Sequence, residues 1–182
     1  MESLKENPTK SLVYAGFFIA LGVLLPLPFH ITGIAGTIFL PMHIPVLIGG
    51  FYLGGLYGLL IGLVTPLLSH MATGMPPLAP VPIAVIMAFE LGAYGLLAGF
   101  LYQKIGKIWY ALIGSMIGGR LVAGLTVWSL IILFGFHQLD YPLAFITGAV
   151  ATGVPGIALQ LLLVPLIVSR LEARSSVEHF QS

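Results

Sequence analysis

The sequence predicts an all-helical membrane protein, and its composition and charge distribution lead to that prediction. Hydrophobic residues make up 58% of the 182 residues and charged residues only 7%, whereas soluble chains carry roughly 25% charged residues. The stretch from Ser11 to Phe89 contains no Asp, Glu, Lys or Arg at all. The apolar segments neither alternate nor stay short, and an open sheet cannot satisfy its backbone groups in lipid, so these segments are predicted to be helices.

Six membrane-spanning helices are predicted, because proline, glycine and polar clusters divide the apolar sequence into six segments. A span needs about 20 apolar residues to cross roughly 30 Å of hydrocarbon, and this chain length with short loops accommodates about six spans. The predicted spans are residues 11–26, 40–54, 55–71, 82–103, 108–135 and 143–169. They form a single domain over residues 1–182, with tails at 1–10 and 171–182.

Charged, polar, glycine and proline residues set the limits of each predicted span. The first lies between Lys10 and Pro26 and has no small-x-small cleavage site near its end, so it is predicted to be a span and not a signal peptide. The second and third are short and meet at residues 53–55 (LGG). Residues 76–82 (PPLAPVP) are too rich in proline for a helix and precede the fourth span. The basic segment 104–107 separates the fourth span from the fifth, and a polar loop precedes the sixth.

The basic residues predict the orientation of the chain. All the Lys and Arg residues except Arg120 lie before the first span, between the fourth and fifth, or after the sixth. With six spans these places share one side, so the positive-inside rule puts both the N and C termini in the cytoplasm. The loops predicted on the outer side, 27–39, 72–81 and 136–142, contain neither Lys nor Arg.

Small residues recur at four-residue spacing in several spans. This spacing places them on one helix face, where they let helix backbones approach closely. Most are predicted to pack helices inside the protein. The runs are Gly54-Gly58-Gly62, Gly95-Gly99, Gly114-Gly118, Gly148-Thr152-Gly156 and Gly16-Ala20.

Two charged residues, Glu90 and Arg120, lie deep in the fourth and fifth predicted spans. Counted from the cytoplasmic ends near Gln103 and Ile108, both lie about 18–20 Å into the bilayer at 1.5 Å per residue. They share a depth and can pair. A buried charge costs several kcal/mol unless it is compensated, so two interpretations remain. The pair is either a permanent structural ion pair, or one or both residues line a substrate pocket.

Three histidines, His30, His43 and His70, are predicted near the outer surface because of their places at the ends of spans or in the first outer loop. No two of them are three or four residues apart, and no carboxylate accompanies them in a ligand motif, so no metal site is predicted. His43 and His70 are interpreted either as solvated loop residues or as residues that contact a ligand.

The composition also excludes several classes of function. There is no cysteine, and hence no disulfide or thiolate metal site. No phosphate-binding loop motif is present, so another subunit must bind any ATP that is used. The motifs of intramembrane proteases are missing, and no basic patch suits nucleic acid. Neither an enzyme nor a bound cofactor is predicted.

Six stretches of the sequence resemble one known family. They are residues 40–47 (LPMHIPVL), 65–68 (TPLL), 74–78 (GMPPL), 88–96 (AFELGAYGL), 119–124 (GRLVAG) and 155–160 (PGIALQ). Together these stretches resemble the substrate-binding S components of energy-coupling-factor (ECF) vitamin transporters, which are small bacterial membrane proteins of six helices. The resemblance covers almost the whole chain.

The resemblance implies a function in the bacterial plasma membrane. Such a chain captures a vitamin or precursor from outside and delivers it through a membrane coupling subunit and two cytoplasmic ATPases. The family's ligand pocket lies toward the outer half of the helices under the loop after the first helix. By position, this implicates His43, His70, Glu90, Arg120 and the loop 26–39.

The resemblance also implies a docking site for the coupling subunit. In that family the first helix carries an Ala-x-x-x-Ala face that docks the coupling subunit. The matching residues in this sequence are 16–20 (GFFIA), in which Gly16 takes the first place and Ala20 the second.

The identity of the ligand is left open between two chemical types. The subgroup looks most like the pantothenate-type components, and a carboxylate would suit the guanidinium of Arg120 through two parallel hydrogen bonds. Trp128, Phe89 and Tyr94 could instead stack on a flat ring, which favours a pyridine, pyrimidine or flavin vitamin. Two rivals from other classes are a stand-alone channel or facilitator and an intramembrane enzyme.

Overall fold

The computed structural model describes residues 8–32, 36–136, 139 and 141–178, and these residues contain helices and turns but no strand. This confirms the predicted all-helical class. The helices are α1 (Pro8–Leu24), α2 (Leu27–Thr32), α3 (Gly36–Phe39), α4 (His43–Leu53), α5 (Gly55–Thr73), α6 (Ile83–Ile105), α7 (Ile108–Phe134) and α8 (Pro142–Glu178).

Five segments within the described part of the chain are long and apolar enough to cross a membrane. They are Pro8–Phe29, Gly55–Thr73, Ile83–Ile105, Ile108–Phe134 and Pro142–Ala173. They correspond to five of the six predicted spans. The predicted span 40–54 contains only α4, an apolar helix of 11 residues. At 1.5 Å per residue α4 extends about 16 Å, which is too short to cross the bilayer alone.

α4 is short because the backbone departs from helical geometry on either side of it. Leu40 has a φ of +50° and precedes Pro41, and a residue before proline is disfavoured in the helical conformation. Gly54 has a φ of +94°, which a side chain would strain, and it turns the chain directly into α5. Nearly every residue of α4 is buried, since α1, α5, α6 and α8 pack around it. α4 is therefore the central helix of the bundle.

Glycines bring α4, α5 and α6 into backbone contact. A Cβ atom on either Gly50 or Gly58 would collide with the carbonyl oxygen of Gly95, and one on Gly62 would collide with that of Leu91. The three helices therefore approach more closely than any larger residue allows. The predicted packing role of these small-residue runs is confirmed for Gly58, Gly62 and Gly95.

Contacts between helix ends identify one end of the bundle. The ring of Tyr14 in α1 lies 5.8 Å from that of Tyr52 in α4, and the ring of Phe51 lies 5.4 Å from that of Tyr102 in α6. The Tyr102 hydroxyl donates a hydrogen bond to Glu172 of α8. The start of α1 and the ends of α4, α6 and α8 therefore share this end, as the six-span arrangement requires. Its location in the cytoplasm stays a prediction.

The glycine contact between α5 and α6 leads to a prediction about stability. Gly62→Ala is expected to lower the free energy of unfolding by about 1–3 kcal/mol, because the added methyl group forces two backbones apart. Gly148→Ala in α8 is the matched control, since nothing lies within 4 Å of the Cβ it would add. Thermal unfolding of both variants in detergent checks the expectation, and equal stability of the two would contradict it.

Candidate functional site

A buried ion pair joins α6 and α7. Arg120 Nη1 lies 2.6 Å from Glu90 Oε1, and Glu90 is only 3% exposed. The two helices pack tightly beside the pair, because a Cβ at Gly119 would lie 3.0 Å from the Tyr94 ring and 3.1 Å from the Glu90 carbonyl oxygen. The pairing expected from the shared depth of the two charges is confirmed. Glu90 lies seven residues, or about 10 Å, from the start of α6 at Ile83, so the pair is nearer the predicted outer end.

His43 adds a second polar group beside the carboxylate. Its Nε2 atom lies 4.0 Å from Glu90 Oε1, and its ring meets that of Tyr94 edge-on with centroids 5.3 Å apart. The interpretation of His43 as a solvated loop residue is wrong, because its side chain is buried. The physical reason is the chain before it: Phe39 packs against Gly156 of α8, so α4 starts already inside the protein.

His70 lies apart from this buried cluster. Its Nδ1 donates a 2.8 Å hydrogen bond to the carbonyl of Pro76, and Ser69 Oγ donates one of the same length to that of Met75. Gly62 packs at the level of Leu91, next to Glu90, and His70 is eight residues or about 12 Å further along α5. His70 therefore holds the proline-rich segment at the end of α5 and does not line one surface together with His43.

Gln160 of α8 is a buried polar residue that the sequence analysis did not single out. It is 0% exposed. It was identifiable as the one amide inside a predicted span, away from the span ends, and a polar residue at that depth is a functional candidate. Gln160 has no charge, and the apolar residues around it keep the mean hydropathy of this stretch high, so a hydropathy pattern does not reveal it.

Several buried polar atoms of the protein interior have no hydrogen-bond partner in the described structure. Such atoms are uncommon in protein interiors, and each one calls for an explanation. All of those found among the described residues belong to four side chains. They are His43 Nδ1 and Nε2, Arg120 Nη2, Gln160 Nε2 and Oε1, and Glu90 Oε1, whose ion pair lacks hydrogen-bond geometry.

An apolar groove of about 390 Å³ between α7 and α8 leads to this cluster. Aliphatic side chains such as Ile117 and Val150 form its walls, and Arg120 and Tyr94 are the polar residues that it reaches. Ile117 is largely exposed on the outside of the bundle. The groove therefore opens on the hydrocarbon-facing surface, and Arg120 forms part of its lining.

Other residues named from the sequence lie on the outside of the bundle. Phe89 is 51% and Trp128 54% exposed, so neither ring faces the cluster, whereas Tyr94 is buried beside His43. Gly16 and Ala20 lie on the exposed face of α1, with open space around Gly16.

Part of the predicted outer surface lies outside the described residues. The side chain of His30 and residues 33–35 of the loop 26–39 lie outside the described residues, as do His137, Gln138 and Asp140. Within the described ranges, no group of three His, Asp or Glu residues is arranged to hold a metal ion.

A comparison with protein families matches the sequence of this chain to one family. The model of the family described as "ECF transporter, substrate-specific component" matches residues 10–168. The chain belongs to this family. The searches of curated proteins and of solved structures gave no match.

Membership establishes the general activity of the chain. Members of this family of multi-pass membrane proteins bind small-molecule substrates and work with the subunits of the ECF module. The family is a class of transport components and not of enzymes. The apolar helices of this substrate-specific component agree with a location in a membrane.

The buried ion pair leads to a prediction about the free energy of unfolding. Glu90→Gln and Arg120→Gln are each expected to lower the free energy of unfolding by about 3 kcal/mol, because each leaves the other group buried without its counter-charge. The double variant, which buries no charge, is expected to recover most of that loss. Unfolding of all four proteins in detergent measures the coupling, and simply additive losses would contradict it.

Proposed function

We propose that this substrate-specific component captures a vitamin or vitamin precursor, with pantothenate as the leading candidate, at the outer side of the bacterial plasma membrane. A membrane coupling subunit and two cytoplasmic ATPases then drive uptake of the captured molecule. In this proposal both termini are cytoplasmic. Arg120, Glu90 and His43 supply the polar part of the site, and His70 supports the outer segment next to it.

The observation that carries the proposal is the buried cluster with unsatisfied hydrogen-bonding atoms. A buried polar group without a partner costs about 1–3 kcal/mol. A polar ligand that enters the cluster removes this cost for several groups at once, which favours tight binding. A group that served only to hold the helices together would be expected to have its partners within the protein.

The chemistry of Arg120 supports an acyclic ligand with a carboxylate. Its Nη1 faces Glu90, whereas Nη2 is directed toward α8, where it lies 3.8 Å from the Cβ that Gly153 lacks. Leu40 Cδ1 lies 3.0 Å from the same Cβ position, so a ligand that reaches this nitrogen must displace the Leu40 side chain. A carboxylate oxygen there would accept a charge-assisted hydrogen bond, which is roughly twice as strong as a neutral one.

A flat-ring vitamin has less support from the described residues. Stacking of a pyridine, pyrimidine or flavin ring needs aromatic faces at the site, and of the three rings proposed for it only Tyr94 lies beside the cluster. These vitamins therefore belong in the binding panel after pantothenate.

Binding to the isolated chain tests the proposal. Titration calorimetry in detergent is expected to show tight binding of pantothenate, with Arg120→Lys weakening it by at least 1 kcal/mol, because lysine keeps the charge but loses the second nitrogen. Arg170→Lys, at an exposed position near the end of α8, is the matched control. Mass spectrometry of co-purified small molecules identifies the vitamin independently. Pantothenate flux through the chain alone in proteoliposomes would instead support a facilitator.

Docking of the coupling subunit is the second part of the proposal, and α1 is the helix that we assign to it. Gly16 and Ala20 are exposed one turn apart, and no described atom lies within 4 Å of the Cβ that Gly16 would carry. A partner helix could therefore approach the backbone of α1 closely along this face. The large exposed apolar residues beside them, such as Phe17 and Val13, would add contact area.

Substitutions on this face are expected to separate assembly from binding. Gly16→Leu or Ala20→Leu should abolish co-purification with the coupling subunit and ATPases, since a bulky side chain blocks backbone approach, while vitamin binding stays unchanged. Gly148→Leu places the same side chain in open space on α8 and serves as the control. Complexes that still assemble with the α1 variants would exclude this face as the dock.

A further inference from the structure

His43 is a buried titratable residue that the ion pair leaves without a partner. Its side chain is 2% exposed, and neither Nδ1 nor Nε2 has a hydrogen-bond partner in the described structure. A neutral imidazole has a donor on one ring nitrogen and an acceptor on the other, so both functions of this ring are unused. Glu90 and Arg120, in contrast, are paired with each other at 2.6 Å.

The titratable groups that face His43 come from α6 and α7. Its Nε2 lies 4.0 Å from Glu90 Oε1, which also faces Arg120, and Tyr94 meets the ring edge-on. The other helices packed around α4 are α1, α5 and α8, and their described titratable side chains lie elsewhere. Those near the bundle end that contains Tyr102 are Lys10, Tyr14, Tyr57, Arg170 and Glu172, and His70 lies at the opposite end of α5.

The net charge of the cluster determines what an anionic ligand requires. The charges of Glu90 and Arg120 cancel, so the cluster is neutral when His43 is neutral. A ligand carboxylate on Arg120 Nη2 would change the sum to −1, and an uncompensated charge in a protein interior or in hydrocarbon is strongly unfavourable. It would also divide the guanidinium between two carboxylates. A proton on His43 restores neutrality and gives Glu90 a second cationic neighbour.

The geometry allows the imidazole to take this position with a small movement. A hydrogen bond from Nε2 to a carboxylate oxygen needs about 2.7–3.2 Å, so the present 4.0 Å must shorten by roughly 1 Å. Both ring nitrogens of a protonated imidazole are donors, and a charge-assisted bond to a carboxylate is stronger than a neutral one. Glu90 Oε1 has no hydrogen bond in the described structure, so it has the capacity to accept this donor.

We infer that His43 is a proton-binding site coupled to the substrate site, so that an anionic substrate is captured together with one proton. The proton comes from water and adds to the unprotonated ring nitrogen, and no covalent bond breaks. The inference rests on the proposed function and specifies its substrate class, a carboxylate anion that binds as a neutral pair with a proton. Because the complex holds one more proton than the free protein, affinity rises as the pH falls, by at most roughly tenfold per pH unit.

Calorimetry in two buffers of different ionisation enthalpy, phosphate and Tris at one pH, measures the protons taken up on binding. Pantothenate is expected to bring close to one proton into the wild type and none into His43→Gln. His70→Gln is the matched control and should keep the uptake. Pantothenol, in which an alcohol replaces the carboxylate, should bind without a proton. Absence of uptake by the wild type with pantothenate, or equal uptake by His43→Gln, would overturn the inference.

The proton on His43 is also measurable without a ligand. Arg120→Gln leaves the cluster at −1, the excess charge that a bound carboxylate would bring. Nitrogen-15 NMR of the histidine rings in detergent, assigned by the signal lost in His43→Gln, is expected to show His43 neutral in the wild type and protonated in Arg120→Gln. The double variant Glu90→Gln/Arg120→Gln should return it to the neutral form. A neutral His43 in Arg120→Gln, or a protonated one in the ligand-free wild type, would contradict the inference.

Failure of the proposed function gives a different pattern. If the wild type binds a vitamin without a carboxylate, such as pyridoxine or thiamine, and not pantothenate, the inference fails with it, since its substrate class is anionic. If the wild type binds none of these vitamins, the proposed function fails. The NMR comparison then decides alone: a proton on His43 in Arg120→Gln supports the proton site, and its absence overturns it.

Discussion

The cost of a charge in hydrocarbon is the constraint on which the rest of this structure depends. Glu90 and Arg120 can be buried only because each neutralises the other across 2.6 Å. Their contact joins α6 and α7, which approach closely at Gly118 and Gly119. Once the carboxylate is held there, α4 brings His43 to its other side. The ion pair therefore serves the structure and also creates the polar surroundings that a ligand can use, so the structural and functional interpretations of the pair are compatible.

The bundle divides into a tightly packed part and a loosely packed part. In α4, α5 and α6, contacts such as that of Gly58 with Gly95 leave no room for even a methyl group, so this part behaves as one rigid unit. α7 and α8 are separated by the apolar groove that reaches Arg120. Parts of a protein with few buried contacts open most easily. α7 packs closely on α6, where a Cβ on Gly118 would lie 2.2 Å from Leu97, so the Glu90–Arg120 ion pair belongs to the tightly packed part and borders the groove that separates α7 from α8.

The sequence predicts much of this fold because the bilayer requires long apolar helices, which are easy to recognise in a sequence. Long uncharged stretches indicate the spans, and a count of residues gives Glu90 and Arg120 one depth, since a helix rises by a constant amount per residue. The position of His43 could not be predicted in this way. It depends on the non-helical backbone at Leu40 and on the packing of Phe39 against α8, which are tertiary features. Gln160 is visible in the sequence as an uncharged amide inside a predicted span, but only the structure shows that it is buried without hydrogen-bond partners.

The neutrality of the cluster bears on how a ligand can be selected. Since the charges of Glu90 and Arg120 cancel, the field of the site discriminates weakly between an anion and a neutral molecule, and Coulombic attraction alone cannot select a substrate. Selection must then come from the pattern of donors and acceptors. A site with buried hydrogen-bonding groups strongly rejects an analogue that lacks one matching group, because a polar group of the site is then left unpaired. An apolar pocket discriminates much less between ligands that differ by one methylene group. The unpaired polar atoms of Arg120 and His43 beside Glu90 are groups of this kind, which favours a ligand with hydrogen-bonding groups of its own.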